Sequence, residues 1–231
     1  MEIQKQTLYV VATPLGNLED LSQRATQVLH QADFVACEDT RSSRKLLDKI
    51  GSQAPTIPYH EHNEKQTAAH LADKIEAGAS AAMISDAGTP NISDPGFRLV
   101  RECRRRGINV VPVPGPCALV TALCASGLPT NAFFYAGFLP PKSAARKKFL
   151  EAHKDFTHSI VLYESCHRIV AFAEEMCEVL GNERTVCIAR ELTKLHETFL
   201  TGSAAEVCVR LKAGSQKGEF VVIIAPNDYT L

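Results

Sequence analysis

The 231-residue chain carries no Cys-x-x-Cys pair, although it has eight cysteines. Most of them sit inside apolar segments, as at Cys37, Cys117, Cys124 and Cys187. That usage argues against a zinc site or a disulfide framework and reads as reduced core cysteines of a cytosolic protein. There is no Walker loop, which argues against a nucleoside triphosphatase. There is no Gly-x-Gly-x-x-Gly after the first strand, which removes the ordinary dinucleotide site and the common glycine-rich methyltransferase loop. The most apolar stretch, Ile108 to Leu128, is interrupted by Pro112, Pro114, Gly115 and Pro116 and so does not read as a membrane span. Met1 to Lys5 has no signal-peptide pattern, and the expected location is cytoplasmic. The net charge is −1 and the pI about 6.7, which weighs against bulk nucleic-acid binding but leaves room for a local basic patch. Internal repeats and low-complexity tails are also missing.

What is present is an ordinary globular composition, 45% hydrophobic and 22% charged, enough for a sizeable core. The chain is organised around Ser85-Asp86-Ala87-Gly88-Thr89-Pro90-Asn91-Ile92-Ser93-Asp94-Pro95-Gly96. An apolar run, 81–84, precedes this stretch and an amphipathic segment, 97–106, follows it. It is therefore a shaped loop between a strand and a helix, its form fixed by two Gly and two Pro. Loops at the carboxyl ends of strands in an open α/β sheet are where ligands bind. The competing reading is a tight turn in which Ser93 or Asp94 caps the next helix.

Around this stretch, strands are expected at 8–12, 34–37, 56–59, 81–84 and 109–113. Helices are expected at 18–31, from a Thr40 cap to Ile50, from about His60 to Ala77, and at 97–106. The βαβαβαβαβ rhythm predicts a parallel sheet with helices on both faces. Pro114-Gly115-Pro116 reads as a hinge, dividing the chain into domains 1–114 and 115–231. Beyond it the rhythm changes. Helices are expected at 117–126, 142–153, 169–180 and from a Ser203 cap to Lys212, with strands at 133–138, 159–163, 185–189, 197–201 and 219–225. Closely spaced strands such as 185–189 and 197–201 predict a mixed sheet with antiparallel pairs.

Several segments together resemble the tetrapyrrole-methylase superfamily of S-adenosylmethionine-dependent methyltransferases, in particular its branch acting on small-subunit ribosomal RNA. They are Thr13-Pro14-Leu15-Gly16-Asn17, Glu38-Asp39-Thr40-Arg41, His62-Asn63-Glu64, the 85–96 loop and Pro114-Gly115-Pro116. Downstream come Gly137-Phe138-Leu139-Pro140, Tyr163-Glu164-Ser165-Cys166-His167-Arg168, Ala189-Arg190-Glu191-Leu192-Thr193-Lys194 and Lys217-Gly218-Glu219. The resemblance implies two α/β domains, the N-terminal one mainly parallel and the C-terminal one mixed, with the cofactor in the cleft between them. It implies 2′-O-methylation of a cytidine ribose in the decoding region of 16S rRNA, with the assembled small ribosomal subunit as substrate, and a homodimer. Members often continue into a small helical C-terminal domain past the position of Leu231. Two other readings stand beside this one: a methyltransferase of the same fold acting on a small tetrapyrrole-like acceptor, and a cofactor-binding regulatory module without catalysis.

The resemblance gives cofactor binding to Gly16, Ser85, Asp86, Gly88, Thr89 and Ile92, then to Ala118, Leu119, Tyr163, Ala189 and Gly218. The chemistry requires acceptor oxygen, methyl carbon and sulfur in line, and a group to take the ribose hydroxyl proton. Candidates for that group are Glu191 and Lys194, singled out by the dense charge after an apolar strand, with Glu38, Asp39 and Glu164 behind them. RNA contacts are expected from Arg41, Asn63, Arg168 and Arg190 and from the basic helix bearing Arg146, Lys147 and Lys148. Each of these carboxylates and arginines has an alternative as a structural ion pair. A metal reading of His60-x-His62 lacks a third ligand and is set aside.

Overall fold

The computed structural model describes residues 2–231 and divides them into two compact units, one ending at Cys117 and the other beginning at Ala118. The first unit alternates β1 (Thr7–Val11), α1 (Gln23–Gln31), β2 (Phe34–Cys37), α2 (Thr40–Lys49), β3 (Thr56–Pro58), α3 (Glu64–Glu76), β4 (Ser80–Met83), α4 (Phe97–Arg105) and β5 (Asn109–Val113). Its sheet has the order β3-β2-β4-β1-β5 and every pair is parallel. β1, β2 and β4 are buried on both faces, which is why they read as continuous apolar runs, whereas β3 and β5 carry exposed residues. Leu8, Ala36, Ala81 and Met83 pack on one face against Leu71 and Ile75 of α3 and Leu99 and Cys103 of α4. Tyr9, Val11, Val35 and Ala82 pack on the other against Val28 and Leu29 of α1 and Leu47 of α2.

Two helix starts differ from expectation. The segment expected as one helix from Leu18 begins as a single 3-10 turn, Leu18–Asp20, capped by the Asn17 side chain. α1 then starts afresh after Ser22, whose hydroxyl accepts from the Ala25 N–H. At α2 the cap is Asp39 rather than Thr40, with its carboxylate accepting from the Arg41 N–H. In both places a side chain satisfies an N–H that the first helical turn leaves free.

The second unit comprises α5 (Ala118–Ala125), β6 (Phe133–Phe138), α6 (Ser143–Ala152), β7 (Ser159–Ser165), α7 (Ile169–Leu180), β8 (Thr185–Arg190), β9 (Thr198–Ser203), α8 (Ala204–Ala213) and β10 (Glu219–Ile224). Its sheet order is β6-β7-β10-β8-β9. β6 runs parallel to β7 and the remaining pairs are antiparallel, so the sheet is mixed. One face, with Ile160, Leu162, Ile188, Phe220 and Val222, packs on α6, α7 and α8. The opposite face meets the start of α5, where the Leu119 N–H donates to the Tyr163 hydroxyl at 3.1 Å. Ser203 and Glu206 form a reciprocal capping box at the head of α8. No described helix is long and apolar enough to cross a membrane.

Candidate active site

Because the first sheet is parallel, the loops after β1, β2, β3, β4 and β5 all emerge at one edge. The loops after β1 and β4 are tied together there. Thr13 N–H donates to the Gly88 carbonyl at 2.8 Å and Gly88 N–H donates back to Thr13 at 3.0 Å. The buried Thr13 hydroxyl donates to the Ser85 carbonyl at 3.2 Å, and the Thr89 hydroxyl donates to the Pro116 carbonyl at 2.8 Å. Gly88 and Thr89 thus fix the shape of the loop. An open cavity of about 780 Å³ lies beside it, lined by Gly16, Ser85 and Asp86 among others. Its far wall is the face of α2 carrying Ser42, Lys45 and Lys49, which sequence reading did not single out. The volume falls within the range of roughly 300–1,000 Å³ usual for small-molecule sites. Ile92 lies further along the loop, its N–H donating to the Thr89 carbonyl at 3.3 Å.

Acidic groups gather at the same edge. Burial, and then the Asp86 carboxylate, push the Glu38 carboxyl above its ordinary range, with Glu61 and Asp39 adding repulsion and His60 opposing it. Asp86 is likewise raised, by burial first and by Asp39 as the charged neighbour. Asp39 behaves in the opposite way. It caps α2 and binds the Arg41 guanidinium through both oxygens, at 3.1 and 2.9 Å, and its carboxyl is held down to about 2. That makes Asp39 a cap and a counter-ion rather than a proton acceptor. Arg41 itself is 87% exposed at the side chain. Asn63 spends both ends of its amide inside its own turn, accepting from His60 N–H at 2.9 Å and donating to the Pro58 carbonyl at 3.0 Å. Its side chain braces that turn. The His60 and His62 rings meet edge to face with centroids 5.9 Å apart.

In the second unit, Tyr163 and Ala189 both lie opposite Val221 of β10, one on each side. Opposed residues of an antiparallel pair share a face, so Tyr163 and Ala189 look the same way, with Leu119 fixed over Tyr163. Ala118 opens the helix on which Leu119 sits. Glu164 points to the other face by the period of two along a strand. Its side chain is wholly buried beneath Arg168, whose guanidinium it binds at 2.7 Å, and it accepts from the Ser165 N–H. Its other oxygen, Oε2, is buried without a hydrogen-bond partner among the described residues.

Glu191 and Lys194 sit together in a charged brace between β8 and β10. Lys194 donates to Glu191 and to Glu219, both at 2.9 Å; burial works to lower its pKa, and these bonds outweigh that and raise it. Glu191 also accepts from the Glu219 N–H and is lowered below its ordinary value by Lys194 and that N–H, although burial opposes the shift. Its carboxylate lies over Gly218, where a Cβ would overlap it, so Gly218 makes room for a brace between β8 and β10. Arg190 is spent on the Lys217 and His196 carbonyls and the Ser215 hydroxyl.

The basic helix α6 divides sharply. Arg146 is buried and binds Glu175 at 2.7 and 2.6 Å, Glu175 also accepting from the Ser143 hydroxyl at 2.6 Å. It cannot reach RNA without leaving a carboxylate buried alone, and is corrected to a structural ion pair. Lys147 pairs at the surface with Glu178, and Lys148 is exposed.

Comparison with known proteins bears on this geometry. Residues 7–208 match the family model described as Tetrapyrrole (Corrin/Porphyrin) Methylases. The chain is 48% identical over 219 residues to Ribosomal RNA small subunit methyltransferase I of Haemophilus influenzae, covering 94% of this chain and 77% of that protein. To the protein of the same name from Vibrio cholerae it is 50% identical over 220 residues, covering 94% and 76%. Among solved structures, uroporphyrin-III C-methyltransferase of Thermus thermophilus in complex with S-adenosylhomocysteine superposes with a TM-score of 0.64 at 19% identity, over 96% of this chain and 98% of that one. The chain belongs to the tetrapyrrole (corrin/porphyrin) methylase family, on the branch that holds the ribosomal RNA small subunit methyltransferase I proteins.

Proposed function

We propose that the protein is an S-adenosylmethionine-dependent methyltransferase that 2′-O-methylates a cytidine ribose in the decoding region of 16S rRNA, within the small ribosomal subunit. The observation that carries this reading is near-half identity, over almost the whole chain, to relatives named for methylation of small-subunit ribosomal RNA. Support for the cofactor comes from the family membership and from the edge cavity, whose donors suit it. Gly16 leaves backbone open to close approach, Ser85 offers a hydroxyl and Asp86 a carboxylate. When bound, the cofactor supplies an electrophilic methyl group on a sulfonium. Asp86 faces its positive charge or its amino group. Leu119, Tyr163 and Ala189 keep the cofactor-binding role that the resemblance gives them.

Glu38 is the proton acceptor in this reading. It stands at the carboxyl end of β2, beside Asp86, and its raised pKa makes it a stronger base than a surface carboxylate. Arg41 and Lys148, both exposed, take phosphate contacts that position the RNA. The protein works in the cytoplasm as a homodimer.

A second reading has its own support. The family name and the Thermus thermophilus structure both concern tetrapyrrole methylation, which favours a small tetrapyrrole acceptor. Transfer of labelled methyl from S-adenosylmethionine separates the two. Small subunits lacking the modification, naked 16S rRNA and uroporphyrinogen are offered in parallel. Label on the subunits alone is the expected result, and label on the tetrapyrrole alone reverses the assignment.

A further inference from the structure

Strand β6 contains a register slip that changes where one aromatic ring points. Tyr135 lies opposite Val161, but the next pairs are Gly137 with Leu162 and Phe138 with Tyr163, leaving Ala136 as an extra residue. In an unbroken strand, Tyr135 and Phe138 would face opposite sides of the sheet. The bulge turns both onto the face that carries Tyr163, and Gly137 accommodates it with φ of 65°. Both rings meet Tyr163 edge to face, Tyr135 at 5.3 Å and Phe138 at 5.6 Å between centroids. Tyr163 is itself held by the Leu119 N–H. Phe138 nevertheless remains 54% exposed and takes no part in the unit's buried core. A backbone irregularity thus holds a large apolar ring out toward solvent, on the face that carries Tyr163 and Ala189. The Arg168 guanidinium donates to the carbonyl of the adjacent Leu139 at 3.3 Å, but its charge is spent on the buried Glu164 carboxylate, which points to the other face of the sheet. Lys142 is exposed a few residues on.

We propose that Phe138 is a stacking platform for an unpaired nucleobase of the RNA acceptor, a reading that rests on the ribosomal RNA assignment above. A flat exposed ring suits an unpaired base, with the exposed Lys142 close by in the chain for its phosphates, and such stacking tolerates any base because every base has a π face. Tyr135 and Tyr163 lock the ring's orientation, and the bulge sets its height.

The test uses the full chain and small ribosomal subunits lacking the modification. Phe138→Ala raises KM for the subunits by roughly five- to hundredfold, the range expected for loss of one base–aromatic stack. Phe138→Trp restores it. Phe138→Leu, which keeps apolar volume without a π face, behaves like alanine and carries the test if the alanine variant does not fold. The slope of log affinity against log salt stays as in the wild type, because no phosphate contact is lost. S-adenosylhomocysteine affinity, measured by calorimetry on the free protein, is unchanged. An unchanged KM in both the alanine and leucine variants overturns the proposal. So does a matching loss of S-adenosylhomocysteine affinity, which would place the ring against the cofactor's adenine. Wild-type enzyme that labels no subunits would instead overturn the functional assignment.

Discussion

Glu38 is the proton acceptor in the proposed function, its carboxyl lifted by burial and then by the neighbouring charge of Asp86. Glu38→Gln is expected to lower single-turnover methyl transfer by about 10²–10⁴-fold, the usual contribution of a positioned base, with cofactor affinity kept. The wild-type rate should fall as acid protonates Glu38, at a pH above that of an ordinary glutamate, and this limb should vanish in the variant. A rate profile flat down to pH 4.5 would remove Glu38 from the role. Arg146 illustrates the opposite outcome for a charged residue. Arg146→Ala leaves Glu175 buried without its partner and should cost about 3–5 kcal/mol in denaturant unfolding, whereas a loss below about 1 kcal/mol would show that the pair is not desolvated. In sequence, Arg146, Lys147 and Lys148 are three basic neighbours. Only the packing of α6 on α7 reveals that the first points inward to Glu175 and the third outward. Glu191 and Lys194 raise the same question, because charge density after a strand looks alike whether it serves chemistry or a brace between strands.

The order of strands and helices was largely legible because each fully buried strand reads as an unbroken apolar run and each helix shows its own stripe. Helix starts were less so. Asn17, Ser22 and Asp39 each cap a different start, and that Asp39 rather than the neighbouring Thr40 serves α2 depends on where the preceding strand delivers the chain. The bulge in β6 has no signature in its own strand, since register exists only against β7. The 85–96 loop was the clearest element of all, and its buried carboxyl carries a cost in stability. Asp86 is raised by burial, so the folded state binds its proton more tightly than the unfolded chain does. The penalty is absent at low pH and grows as pH rises through the raised value. Asp86→Asn should therefore raise Tm at pH 7, with the gain shrinking as pH falls through the raised value and gone below the pKa of an unfolded aspartate. A lower Tm at pH 7 would mean that the bond from Asp39 N–H to Asp86, at 3.3 Å, needs the full negative charge.

At the scale of the whole molecule, the change of rhythm after Pro114-Gly115-Pro116 marks a real change of architecture, from a parallel sheet to a mixed one. The tetrapyrrole-methylase resemblance was legible because loop motifs recur in order along nearly the full chain. The acceptor is less legible from the fold, because one architecture serves both corrinoid and RNA relatives, and sites rather than folds decide chemistry. The central claim is methylation of a ribose oxygen, and the linkage itself can report it. Small subunits lacking the modification are labelled with methyl-labelled S-adenosylmethionine, and their rRNA is hydrolysed in alkali. A 2′-O-methyl group blocks attack on the adjacent phosphate, so the account predicts label in a single alkali-resistant dinucleotide whose 5′ nucleoside is cytidine. Label released entirely as mononucleotide would place the methyl group on a base and contradict the account.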